Sequence, residues 1–402
     1  MNEKNDKNMI LKILEEFNGI LRLKPEFVPR KNFCSSKLLG LGEDKYDMGT
    51  RGEITERWIS STTLAGNQNA PVDEGLSYVF SEKYPGIMIT LKDIIKNETK
   101  LVLGPEYSKS YSDIGVLAKI LAYKDRIYFH FHQMQKDALL VKSSSKEEAY
   151  YFPESTDLGQ KPETYFGFHP FIFEQKKYDL ILQELINWNS DRILGYSRAY
   201  RQQHDDGFHL PAGIPHSPGT ALTIEIQEAS DVFGNLQALY NNRILSKDTL
   251  FHSIRNEDRL KYKEKIIFAQ LDWEKSSDPY FYENRHTPPL LIKGNDEKGF
   301  FEHWIFYNTN KFSGKKLTVF PYKTFTSREC GAYSALVWKG KGRFDGLNIE
   351  AKNFNLDELF LTHQRAVRPH IIENDSNEIL QIFKFFGPDI NKDIPMLPVF
   401  NK

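Results

Sequence analysis

The sequence predicts a mainly β protein in which two strand-rich regions are separated by helical chain. Three observations carry that prediction. The 402 residues include 29 Phe and 20 Tyr, and aromatics reach 13%, a composition that suits pleated, half-buried surfaces and argues against disorder. From Pro25 to about residue 165 the apolar stretches are short and rich in Ile, Val, Tyr and Phe, and Gly, Pro, Asn, Asp or Ser clusters separate most of them. The pattern returns from HWIFYNTNKF through YSALVWKGKGRF to EILQIFKFFG.

Each element has its own signal. Met9, Ile10, Ile13, Leu14, Phe17 and Leu21 repeat at helical spacing, which predicts an opening amphipathic helix that ends at Pro25. Two helix-compatible stretches interrupt the strands that follow, Leu91 to Lys96 and Asp113 to Leu121. Between Phe171 and Arg192 a stripe of Tyr178, Ile181, Leu182, Leu185 and Ile186 predicts an inserted helix. Strand-like chain resumes near Phe208 and runs through ALTIEIQ, residues 221–227. Asn235 to Ala269 is charged and helix-compatible, and residues 276–289 are turn-rich. WKGKGR, residues 338–343, reads as an exposed hairpin turn.

Length allows two or three domains. Lys plus Arg number 53 against 54 for Asp plus Glu, so no global field attracts nucleic acid or an anionic membrane. No run approaches the roughly 20 apolar residues of a membrane span. The N-terminus lacks a small-residue cleavage signal, and a cytoplasmic protein is the expectation. The two cysteines, Cys34 and Cys330, form no CxxC pair, so any metal must use His, Asp or Glu.

The most informative segment is RIYFHFHQM, residues 126–134. Alternation in a strand sends His130 and His132 to one face and Ile127, Phe129 and Phe131 to the other. Two imidazoles on one face suit a single metal ion, although a solvated or core-satisfied pair has the same pattern. In FHLPAGIPHSPG, residues 208–219, Pro211 and Gly213 set a tight turn that delivers His216. Between the two segments Glu148 begins a strand. His130, His132, Glu148 and His216 together make a divalent site for zinc or iron, with room for water or substrate. In ALTIEIQ, Glu225 and Gln227 alternate against Leu222, Ile224 and Ile226, facing either that site or the wet side of a sheet.

HxH, then Glu, then PxGxxH is the order found in cupins, double-sheet β-barrels of the jelly-roll group. Over most of its length the chain resembles the type I mannose-6-phosphate isomerase (phosphomannose isomerase) family. The residues carrying that resemblance are LRLKPEF at 21–27, ERWISS at 56–61, LKDIIKNETKLVLG at 91–104, VLAKILAYKDRIYFHFH at 116–132, KEEAYYF at 146–152, HLPAGIPHSPG at 209–219, TIEIQEASD at 223–231 and FAQLDWEK at 268–275. The resemblance implies two cupin barrels. Residues 1–170 and 201–245 form the metal-binding one, 171–200 a helical insertion, 246–300 a helical or irregular connection, and 301–402 a second, metal-free barrel. It implies interconversion of mannose 6-phosphate and fructose 6-phosphate through a cis-enediol, with zinc as cofactor. Lys146 falls on the family's catalytic Lys, and Asp231 and Glu225 join it as proton-transfer or substrate-positioning candidates. A small-molecule sugar or sugar phosphate is the implied partner.

Three departures matter. His130 stands where the family usually has Gln or Lys, which opens a His3Glu site with a different metal preference. Gln133, Met134 and Gln135 replace the residues that follow His132 in the family, and Asn235 replaces an Arg that contacts substrate. These departures keep three other readings in play: an isomerase of an unphosphorylated or different sugar, an iron cupin oxygenase, and a non-catalytic carbohydrate-binding cupin. His169, His204, His209, His252, His286 and His303 carry no partner motif and read as structural.

Overall fold

The computed structural model describes residues 3–401 and is mainly β. The chain divides into two compact units. One comprises Met1–Pro29, Glu56–Ile120 and Thr287–Met396; the other comprises Arg30–Thr55, Leu121–His286 and Leu397–Lys402. Among the described residues no helix is long and apolar enough to cross a membrane.

The first unit is built on an antiparallel sheet of eight strands. Their order is Leu290–Asn295, Phe300–Phe306, Ser313–Val319, Leu380–Phe386, Tyr333–Lys339, Glu358–Leu361, Ile20–Leu23 and Val79–Phe80. A four-stranded sheet, Thr324–Ser327, His370–Glu373, Lys341–Phe344 and Leu347–Glu350, faces it. Alternating residues of both sheets meet in one core, where Leu317, Val337, Leu359 and Ile382 pack with Phe325, Phe344, Ile349 and Ile372. Each such buried side chain contributes about 1.5–3 kcal/mol. Residues 56–120 group with this unit and not with the histidine-bearing strands. The ties are specific: Val79 pairs with Leu23, and Arg57 holds Asp357 and Glu358 at 2.7 and 2.9 Å.

Four sequence expectations give way here. The opening helix spans Glu3–Glu16 and stops before Pro25, because Asn18 and Gly19 both adopt positive φ (50° and 84°) and turn the chain into the strand Ile20–Leu23. Asp113 to Leu121 is not helical. Val116–Leu121 is a strand with all six residues buried, and a strand covered on both faces has lost the alternation that would identify it. The stretch from Asn235 begins as short strands, not helix: Leu239–Tyr240 and Arg243–Ile244 form a hairpin around Asn241 and Asn242, both at positive φ (47° and 59°). Helices start only at Lys247. The exposed turn expected at 338–343 is present at Gly340 (φ 75°), but it closes no hairpin: it passes the chain from Tyr333–Lys339 in the eight-stranded sheet to Lys341–Phe344 in the four-stranded one.

The second unit positions the site. A five-stranded sheet orders Gly234–Asn235, His130–Phe131, His216–Ser217, Glu163–Phe166 and Arg198–Arg201. Three further antiparallel strands, Asp206–Leu210, Glu148–Phe152 and Thr223–Glu228, carry the carboxylates. Phe129 and Phe131 pack into a core with Ile181 and Leu185 of the helix Tyr178–Asn187 and with Leu250 and Ile267. The predicted insertion helix is therefore what buries the back of the HxH strand.

Candidate metal centre

The site follows from register. His216 lies directly across from His130 in the ladder, and opposed residues share a face. His132 sits two positions on, also on that face. Ring centroids are 4.3 Å apart for His130 and His216, 4.9 Å for His130 and His132, and 5.0 Å for His132 and His216. One nitrogen from each ring lies within 4.8 Å of the others, and all three side chains are buried. Gly213 makes this possible. At φ 89°, with any Cβ held 3.1 Å from Asp272 and Met134, it donates its N–H to the His132 carbonyl at 2.8 Å and turns the chain so that His216 arrives opposite His130.

Glu148 joins the cluster from the facing strand. Its Oε2 lies 3.1 Å from His132 Nε2 and its Oε1 lies 2.9 Å from His216 Nε2. Lys146 Nζ is 2.9 Å from His132 Nε2 and 3.2 Å from Glu148 Oε2. Gln227 is opposite Glu148 and Glu225 opposite Tyr150, so Glu225 and Gln227 share the face of the cluster. Asp231 lies beyond that strand, gripped by Arg30 through two contacts of 3.2 and 3.3 Å. The next residue, Val232, accepts a hydrogen bond from His132 Nδ1 at 2.7 Å.

The protonation pattern decides what the cluster can hold. Nδ1 of His130, His132 and His216 each faces a backbone carbonyl, of Tyr128, Val232 and Ile214, at 2.8, 2.7 and 3.0 Å. A carbonyl only accepts, so each Nδ1 carries the proton. Burial, then the neighbouring rings, hold His130 well below the ordinary imidazole pKa. Burial and the Lys146 charge bring His132 down to about 4. With those rings neutral, their Nε2 atoms carry lone pairs, of which that of His132 accepts from Lys146 Nζ. His132 therefore does not form an ion pair with Glu148, despite the short distance. His216 Nε2 is buried and accepts no hydrogen bond although Glu148 Oε1 lies 2.9 Å away, while the Lys146 ammonium reaches only His132 Nε2 and Glu148 Oε2. Acceptors facing acceptors in a dry site are unfavourable unless a cation lies among them, and imidazole nitrogens fixed through their outer N–H groups are the usual way a protein prepares ligands for zinc or iron. The residues present fit a divalent metal.

Charge around the cluster is balanced. Burial opposes the Lys146 ammonium, but Glu148, Glu225 and Asp231 outweigh it and raise its pKa. Burial likewise opposes the Glu148 carboxylate, and the Lys146 charge leads the influences that hold it well below the usual range.

The structure thus brings together His130, His132, His216, Glu148 and Lys146, sets Glu225 on their face, and places Asp231 beside Arg30. Sequence reasoning missed two residues. Tyr150 donates its hydroxyl proton to Glu148 Oε1, and its place two residues after Glu148 on one strand was a readable signal. Arg30 had none. Asn235 is fully buried and spent on its own turn: its amide donates to Gln237 O at 3.0 Å and Thr249 Oγ1 at 3.1 Å, and its oxygen accepts from Gln237 N at 2.9 Å. Arg243 is exposed on the hairpin.

No family model matches the sequence, and no curated protein matches it. Solved structures do. Mannose 6-phosphate isomerase from Bacillus subtilis aligns with a TM-score of 0.59 at 16% identity, over 91% of this chain and 99% of that one. A zinc-bound mannose 6-phosphate isomerase aligns with a TM-score of 0.64 at 10% identity, over 92% and 100%. A single-substitution variant of phosphomannose isomerase from Salmonella typhimurium gives 0.61 at 10% identity, over 92% and 100%. At these identities the likeness is one of fold, and the chain has the fold of the mannose 6-phosphate isomerases.

Proposed function

We propose that this protein is a metal-dependent aldose–ketose isomerase that interconverts mannose 6-phosphate and fructose 6-phosphate through a cis-enediol. The observation that carries the reading is the convergence of bare imidazole nitrogens and an unprotonated carboxylate beside a buried ammonium. His130, His132, Glu148 and His216 would hold zinc, which when bound supplies Lewis-acid stabilisation of charge on sugar oxygens. The chain's own residues supply the rest. In the forward direction the C2 proton leaves carbon, a proton is delivered to C1, and the hydroxyl proton on O2 is exchanged for one on O1. Lys146, an ammonium with three carboxylates around it, donates hydrogen bonds to the oxygen that gains charge. Glu225 and Asp231 are the carboxylates placed to carry the proton between the two carbons. The buried strands exclude bulk water.

Asn235 favours a second reading. Its amide is used up inside the protein, so the position offers nothing to a substrate phosphate, and an unphosphorylated or different sugar fits as well. Both readings are tested together. Metal-stripped protein reloaded with zinc is expected to isomerise mannose 6-phosphate and to lose turnover in chelator. Faster turnover of free mannose selects the second reading. Oxygen consumption with iron and no isomerisation sinks both, as does sugar binding without turnover.

A further inference from the structure

Tyr150 stands out among the buried polar groups that the proposed chemistry does not use. It follows Glu148 by two residues in the strand Glu148–Phe152, so both point into the centre. Its side chain is 1% exposed. Its hydroxyl donates to Glu148 Oε1, whereas Glu148 Oε2, lying between His132 Nε2 and Lys146 Nζ, accepts no well-formed hydrogen bond. The ring cannot swing away. It stacks on Phe166 at 6.4 Å, and Phe166 is itself the ladder partner of His216. The edge of the ring also meets His216 at 6.3 Å. One aromatic wall therefore fixes the phenol and the third histidine together.

We propose that Tyr150 is a positioning residue of the metal centre: its O–H engages one oxygen of Glu148, so that the carboxylate presents the other oxygen as a single ligand atom. This rests on the reading of the cluster as a metal site. A carboxylate released from the phenol is free to turn and offer both oxygens, which changes the geometry at the ion and occupies space meant for substrate. Tyr150 acts through Glu148 and touches no reacting atom.

The test uses the full-length chain with Tyr150→Phe, which keeps the ring and removes only the hydroxyl. Zinc and cobalt affinities are measured by chelator competition, and the visible spectrum of the cobalt-loaded protein reports ligand geometry. The expected result is affinity about 10–100-fold weaker and a shifted cobalt band, with unchanged melting in the absence of added metal. A double-mutant cycle with Glu148→Gln is expected to show that the loss depends on the carboxylate. Affinity within twofold of wild type and an unchanged spectrum overturn the inference alone. Wild-type protein that binds neither metal overturns the inference and the proposed function together. If Tyr150→Phe does not fold, 3-fluorotyrosine placed at 150 is expected to shift the cobalt band through a stronger donor, and an unchanged band counts against the role.

Discussion

Each unit of this protein buries a polar cluster at core positions, and the two clusters are completed in opposite ways. In the first unit Lys384 lies in the row of Leu380, Ile382 and Phe386, fully buried. Its Nζ donates to Glu302 Oε1 at 2.8 Å, Glu329 Oε1 at 2.7 Å and Ser327 Oγ at 2.9 Å. Lys315 adds a second ammonium at 2.7 Å from Glu329. Even the histidine there is satisfied: His370 Nδ1 donates to Arg368 O at 3.0 Å, and its Nε2 accepts from Tyr333 at 2.7 Å. In the second unit the Nε2 of His216 receives no donor. In one unit the chain's own donors meet each of these acceptors; in the other Lys146 reaches His132 and Glu148 Oε2 but leaves His216 Nε2 facing Glu148 Oε1 with no donor between them. Burial and polarity are alike in both, so what distinguishes a candidate site is an unmet need.

The largest effect is expected at Lys384. Lys384→Met leaves Glu302 and Glu329 buried without their shared partner, and a loss of about 3–5 kcal/mol in urea unfolding is expected. Acid checks the same pairing in the wild-type chain. Lys384 and Lys315 outweigh burial and bring Glu329 from 4.5 down to about 2. A depressed carboxylate pKa contributes stability that is present above about 4.5 and is lost as pH falls towards 2. Stability that does not fall across that window breaks the comparison. A smaller effect is expected at Tyr333. Tyr333→Phe strips the donor from His370 and turns a satisfied imidazole into one like His216, with a loss of about 1–3 kcal/mol. If the variant is as stable as wild type, an unmet acceptor is no guide to a site.

The sequence made the centre legible where its logic is local. Alternation put His130 and His132 on one face, and Pro211 and Gly213 announced the turn that delivers His216. Tyr150 obeyed the same period of two and was passed over because an aromatic in a strand is ordinary. Lys384 was harder. In EILQIFKFFG the charge stands in an apolar row, but its partners belong to other strands whose pairing no local pattern reveals. The strand Val116–Leu121 was misread because burial on both faces erases alternation, and Arg30 has meaning only through Asp231, which lies 201 positions away.

The pairing of Ile20–Leu23 with Glu358–Leu361 has a temporal consequence. Chain leaves the ribosome at about 5–20 residues per second, so on the order of tens of seconds pass before the first strand meets this second neighbour, long after Val79–Phe80 has emerged on its other side. Until then Leu21 and Leu23, buried in the finished unit, have a ladder on one side only, against Val79–Phe80, and contacts as distant in sequence as those on the other side are the slowest to close. Arg57 and Asp357, 300 positions apart, face the same wait. Limited proteolysis of stalled nascent chains is expected to cut near residues 17–25 until the strand Glu358–Leu361 has emerged. Protection at shorter lengths would mean that Val79–Phe80 alone shelters this strand. Synthesis of this protein thus leaves an apolar edge in the care of the cell until the last quarter of the chain arrives.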